Sequence, residues 1–373
     1  MIALLALQAL ELNCVPLRAQ DGKRAAADGR RQILNVKLAI FLDQSLDEHL
    51  EKNLDLIGRD SKYELMRAYV DQINYNFLPL NSSNIARVHF ELVGIHSYMD
   101  DVKNSHANKW GDSVQVADIA HLLDSFCDHQ ASLKQQVLAK LDRQWHVSLL
   151  LTAKDLYNLE GQEECSSLEA IQSTMGVSVI GGIHWEELSC AIVELGARNQ
   201  QGVARPTSSL GHSAWVATHE LAHTLGIHHD GLPFNGECSP SCQVMSPTSW
   251  NYSHAQGADY SCHSWSKCSA EMLDLIHFDK ALLFELQFEE DVSTHAGHNL
   301  LPGQLFNASR QCEMISKDSR PTSVSHTICN LSLECESPLG FVTQIGPALE
   351  GTNCDSNGGE CVMGVCQLIG ARD

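Results

Sequence analysis

Apolar and polar positions along the chain alternate between two regimes. Residues 33–42 (ILNVKLAIFL) form a nearly continuous apolar run with β-branched members, which predicts a buried strand. Residues 45–78 carry apolar positions at helical spacing among many charges, and the chain turns at Pro79. Residues 85–95 partly alternate and predict a second strand, 114–140 a helix, and 146–152 (HVSLLLT) a third, buried strand. Residues 177–183 (VSVIGGI) predict a short Gly-ended strand at a sheet edge, and 190–194 (CAIVE) a further strand. A helix is expected over 213–225, with Ser213 as its cap and Gly226 at its end. Another is expected over 269–284, capped by Ser269, with Met272, Leu275, Ile276 and Leu282 on one stripe and packed against the 213–225 helix. Strands alternating with helices imply an α/β fold, a mixed twisted sheet flanked by helices.

Composition narrows the function. The 373 residues hold 43% apolar residues and a net charge of -21. So acidic a surface repels phosphate backbones and anionic lipid, which argues against nucleic acid and anionic membrane as partners. No stretch of 18 or more apolar residues occurs, so no spanning helix is expected. Fourteen cysteines without a CxxC pair favour disulfides over a zinc ribbon, and so an oxidising compartment. Asn-X-Ser sequons at Asn81, Asn251, Asn307 and Asn330 agree with secretion. Residues 1–31, with an apolar start and basic pairs ending at Arg31, are expected to be a signal or a remnant pro-segment. Residues 32–288 are then one domain, 289–303 a polar linker and 304–373 a small disulfide-dependent module.

The segment HELAHTLGIHHD at 219–230 carries the chemistry. His219 and His223, four apart, project from one helix face and can chelate one Zn2+. Gly226 lets the chain turn sharply, so that His229 swings back as the third ligand; His228 is a rival, read as a solvent or pocket-wall residue. Three protein ligands leave a fourth position for water, and Glu220 is placed to take that water's proton. The extended pattern HExxHxxGxxHD is the metzincin signature. Met245, sixteen residues after His229 in a Cys- and Pro-bounded turn, supplies the methionine turn such sites need, and 246–251 would wall the adjacent pocket.

These residues resemble the reprolysin or ADAM-like metalloproteases, and within them the ADAMTS branch and related arthropod salivary enzymes. Asp230 directly after the third His carries the resemblance. So do SFCDHQ at 125–130, LLLTAKDL at 149–156, GGIHWEELSCAIVE at 181–194, WSKCSAEML at 265–273 and LPGQLFNASRQC at 301–312. The resemblance implies a metzincin-type catalytic domain followed by a disintegrin-like cysteine-rich module. It also implies a secreted, monomeric zinc endopeptidase acting on extracellular matrix or plasma proteins. It pairs Cys127 with Cys190, Cys238 with Cys268, Cys312 with Cys335, Cys329 with Cys361 and Cys354 with Cys366, which leaves Cys242 and Cys262 as natural partners and Cys14 and Cys165 over. Lys37 and His146 occupy positions where the family often carries acidic calcium ligands, so a structural Ca2+ site is expected to be weakened or absent. The competing expectation is a non-catalytic adhesion or receptor-binding protein that uses the disintegrin-like module.

Overall fold

The computed structural model describes residues 32–57, 59–80, 82–83, 85–97, 117–137, 145–158, 172–184, 189–198, 204, 206–231, 236–241, 243–247, 264–278, 287–290 and 300–368. The expected signal or pro-segment, the pocket wall beyond 247, and Cys14, Cys165, Cys242 and Cys262 lie outside them.

The core is built on strand β1 (Gln32–Leu42). Its period of two sends Leu34, Val36, Leu38, Ile40 and Leu42 to one face of the sheet, and Ala39 and Phe41 to the other. The chain then forms helix α1 (Gln44–Leu54), helix α2 (Arg59–Phe77), strand β2 (Ile85–Ser97), helix α3 (Ile119–Val137) and strand β3 (Val147–Thr152). Strand β4 (Gly176–Ser178), strand β5 (Cys190–Glu194), helix α4 (Leu210–Thr224), helix α5 (Lys267–Phe278) and strand β6 (Gln287–Glu290) follow. Sheet order is β2-β1-β3-β5-β4, with β6 alongside the start of β1. β1 runs parallel to β2 and β3, and β3 to β5; β4 is antiparallel to β5 and ends the path. Leu46, Tyr69, Ile73 and Leu221 pack on one face, and Leu122 and Phe126 of α3 on the other. The arrangement is mixed α/β with helices on both faces, followed by a disulfide-rich region.

Several expected elements have different bounds. The helical stretch expected over 45–78 is divided into two helices. Asp55 takes a left-handed conformation (φ 54°) and its N–H bonds back to Leu50 O, which ends α1. Buried Lys62 then reaches back to Asp47 at 2.8 Å and holds the two helices together. The edge strand expected over 177–183 is only Gly176–Ser178, because Gly181 (φ 68°) turns the chain and its N–H bonds to His223 O at 2.7 Å. Helix α4 begins before Ser213: Ser209 caps it, accepting the His212 N–H at 3.0 Å. Ser213 instead donates to Glu194 O at 2.6 Å, anchoring the helix to the end of β5. Helix α5 starts before Ser269, whose N–H bonds to Ser266 Oγ at 3.0 Å; Leu275, expected on its buried stripe, is 70% exposed. Glu289 and Glu290, expected at the start of the linker, pair with Ile33 and Gln32 of β1.

The C-terminal region comprises helices α6 (Pro302–Leu305) and α7 (Ala308–Glu313), strands β7 (Leu333–Glu336) and β8 (Val342–Ile345), and the hairpin of β9 (Gly359–Val362) with β10 (Val365–Leu368). Cys312, Cys329, Cys335, Cys354 and Cys361 are themselves much of its core. Among the described residues, bridges join Cys127–Cys190, Cys238–Cys268, Cys312–Cys335, Cys329–Cys361 and Cys354–Cys366. The region is seated on the α/β core. Phe306, Met314 and Leu349 join the main apolar cluster, His49 Nε2 donates to Met314 O at 2.7 Å, and Glu350 N–H donates to Gln72 Oε1 at 2.8 Å.

Glu350 also accepts the N–H groups of Met363 at 2.7 Å and Gly364 at 3.3 Å in the β9–β10 turn. Burial pushes its carboxyl up to about 7, and those two N–H groups pull it back. The folded chain thus holds this proton more tightly than the unfolded one. The stability that follows is present below the unfolded carboxyl's range and is lost as pH rises through about 7. Glu350→Gln keeps an acceptor for Met363 and cannot ionise. It is expected to stabilise the chain by ~1 kcal/mol at pH 8 and by less near pH 5, as read by thermal melts at the two pH values.

Candidate metal centre

Helix α4 carries His219 and His223 on one face, and the chain then doubles back. Gly226 sits at φ 96°, where a Cβ is disfavoured, and Ile227 N–H bonds to Ala222 O at 3.0 Å to close the helix. This brings His229 over the helix. His229 Nε2 lies 3.1 Å from His219 Nε2 and 3.0 Å from His223 Nε2. His228 is not in the cluster; its backbone N–H points to Met272 Sδ at 3.5 Å.

Two of the three rings are held in one tautomer. His219 Nδ1 is 2.7 Å from Val244 O, and His223 Nδ1 is 2.7 Å from Ile227 O. A carbonyl only accepts, so each Nδ1 carries the proton and each Nε2 turns its lone pair to the centre. Burial lowers the pKa of His219, His223 and His229, the last to about 4, so all three are neutral near pH 7. Neutral imidazoles are what a metal requires. Tetrahedral zinc with bonds of ~2.05 Å spaces its nitrogens by ~3.3 Å, close to the separations here. The donor set therefore fits one zinc ion with three imidazole ligands.

Glu220, one residue on, points to strand β4. Its Oε2 accepts the Ser178 hydroxyl at 2.6 Å. Burial pushes its carboxyl up to about 7, the Ser178 bond opposing. Met245 is fully buried, and its carbonyl accepts the Asp230 N–H at 2.8 Å. Asp230 is buried, and its Oδ1 accepts the Ser266 hydroxyl at 2.6 Å, which ties the end of the motif to the start of α5. Lys37 and His146 meet at the β1–β3 junction, where Lys37 N–H donates to His146 Nδ1 at 3.1 Å. Pattern reading did not single out Ser178 or Gly176. The available signal was their i, i+2 spacing, which places both on one face of an edge strand.

Residues 302–367 match the ADAMTS cysteine-rich domain 2 family. Over 228 residues the chain is 27% identical to mouse "A disintegrin and metalloproteinase with thrombospondin motifs 7", covering 58% of this chain and 12% of that protein. Over 265 residues it is 29% identical to human "A disintegrin and metalloproteinase with thrombospondin motifs 20", covering 67% of this chain and 12% of that protein. The chain is ADAMTS-like. The longer of these ADAMTS alignments cannot lie within 302–367 alone. The ADAMTS-like chain spans only about 12% of the length of each of these two relatives. Among solved structures, archaemetzincin from Methanopyrus kandleri is 14% identical with a TM-score of 0.31, covering 65% of this chain and 96% of that one, a likeness too slight to bear on the fold.

Proposed function

We propose that this ADAMTS-like chain is a secreted zinc-dependent endopeptidase acting on extracellular proteins, with a catalytic unit within 32–288 and a disintegrin-like module over 304–373. The observation that carries the reading is the set of three neutral imidazoles, with His229 Nε2 3.0–3.1 Å from the Nε2 atoms of His223 and His219, and the buried carboxyl of Glu220 next to His219 in sequence. His219, His223 and His229 would hold the ion. Zinc, when bound, supplies a Lewis acid that polarises the scissile carbonyl and acidifies the attacking water. Glu220 takes that water's proton and passes it to the leaving amine. Strand β4, last in the sheet, orients the substrate main chain beside it. Met245 supports the metal ligands from below. Five disulfides among the described residues, and no helix there long and apolar enough to cross a membrane, accord with an extracellular setting. The name metalloproteinase borne by both relatives supports the same reading, and the longer alignment runs through the middle of this chain wherever it begins.

His223→Ala tests it. The variant is expected to lose bound zinc, at least ~10-fold in affinity, and to lose peptide cleavage while keeping its disulfides. Metal analysis and a cleavage assay on the same preparation check this. Retained zinc with retained cleavage would sink the assignment. A second reading, a non-catalytic binding protein, draws on Leu339 (82% exposed) and Phe341 (69%) at the tip of the β7–β8 hairpin.

A further inference from the structure

Strand β4 does more than end the sheet. Gly176 and Ser178 share the face turned to helix α4, while Val177 between them packs on the opposite side with the α3 cluster. The Ser178 hydroxyl donates to Glu220 Oε2 at 2.6 Å. A Cβ on Gly176 would lie 2.9 Å from Glu220 Cγ, 3.0 Å from Glu220 Oε1 and 2.9 Å from Val216 Cγ1. The Glu220 side chain therefore lies in a groove that exists because residue 176 has no side chain, and its carboxylate is held at the far end by one hydroxyl. Glu220 is 7% exposed, so little water is present to replace that bond.

We propose that Ser178 is a positioning residue for Glu220: its hydroxyl fixes the rotamer of the carboxylate, within the groove left by Gly176, so that one carboxylate oxygen is committed to the protein and the other is left to exchange a proton. The proposal rests on the endopeptidase reading above. It adds a coupling to it, because Gly176 and Ser178, the two residues that fix the base, lie on the strand along which a substrate main chain would run. A substrate seated on β4 steadies Ser178 and, through it, Glu220. A charge-assisted hydrogen bond of this kind constrains geometry as well as adding energy, and misplacing a base by a fraction of an ångström costs rate rather than binding.

The test compares wild type, Ser178→Ala and Ser178→Thr on one unfolded protein substrate, casein, with zinc content and melting temperature measured on each. Ser178→Ala is expected to keep its zinc and its melting temperature, to hold KM within about twofold, and to lose about tenfold in kcat. Ser178→Thr, which keeps the hydroxyl, is expected to recover most of that loss. A merely structural hydroxyl would move the melting temperature and leave kcat alone. Unchanged or raised kcat in Ser178→Ala, a change confined to KM, or equal losses in the Ala and Thr variants would overturn the proposal while leaving the endopeptidase reading standing. A folded, zinc-loaded wild type that cleaves nothing would instead remove the endopeptidase reading, and this proposal with it.

Discussion

Glu220→Ala is expected to lower peptide cleavage by about 10³-fold or more while one zinc per chain stays bound. Glu220 is not among the converging ligands, which are His219, His223 and His229. The rings of His219 and His223 are oriented by Val244 O and Ile227 O, neither of which the substitution touches. Metal content therefore has no reason to fall. Among the described residues Glu220 is the carboxyl bonded to β4 beside the cluster, and the proposed mechanism gives the attacking water and the leaving amine no other proton partner. The fold should tolerate the change, because a buried carboxyl whose charged form is disfavoured contributes little to stability near neutral pH. Zinc analysis, a thermal melt and a cleavage assay read the three expectations separately. Joint loss of zinc and of fold would count against the general-base role.

The second large effect concerns Gly211, in the first turn of α4. A Cβ there would stand 2.1 Å from Pro347 O, a backbone atom of the C-terminal region that cannot swing aside. Alanine in a helix normally gains up to ~1 kcal/mol over glycine, but a clash with packed backbone costs more, and the expected net loss is ~2–4 kcal/mol. Either the C-terminal region shifts outward or α4 moves, and α4 carries His219 and His223. Gly211→Ala is thus expected to melt roughly 3–5 °C lower. It is also expected to bind zinc more weakly, a sign that the two parts are one mechanical unit. Gly94→Ala is the control: its Cβ meets nothing nearer than His96 Nε2 at 3.8 Å, and its melting temperature should barely move. Equal melting of the two variants would show that the contact at Pro347 is not a tight one.

The parts of the fold that could be read from the sequence are those set by short-range pattern. The apolar runs that became β1, β3 and β5 are buried on both faces, so they stand out without alternation. The meeting of His219, His223 and His229 was legible because helix pitch and one glycine govern it, and all three lie within eleven residues. Helix ends were less legible. Ser213 and Ser269 each look like caps, yet Ser209, four residues earlier, and Ser266, three residues earlier, take that place; the Ser213 hydroxyl is given instead to Glu194 O, a contact distant in sequence. The break at Asp55 puts a non-glycine residue in the left-handed region, and the return of Lys62 to Asp47 across it is a contact that short-range pattern does not announce. The Ser178–Glu220 bond, the seat of Pro347 on Gly211 and the exposure of Leu275 depend on which elements lie across one another in space.

On the proposed reading, the three-imidazole centre makes this ADAMTS-like chain a zinc peptidase. The measurement that tests it most directly is cleavage of gelatin or casein by the purified chain, trimmed after Arg31. The assay is run as prepared, after zinc chelation, and after zinc is returned. The account predicts cleavage that stops on chelation and resumes with zinc. No cleavage by a folded, zinc-loaded chain, or cleavage that chelation leaves untouched, would contradict it.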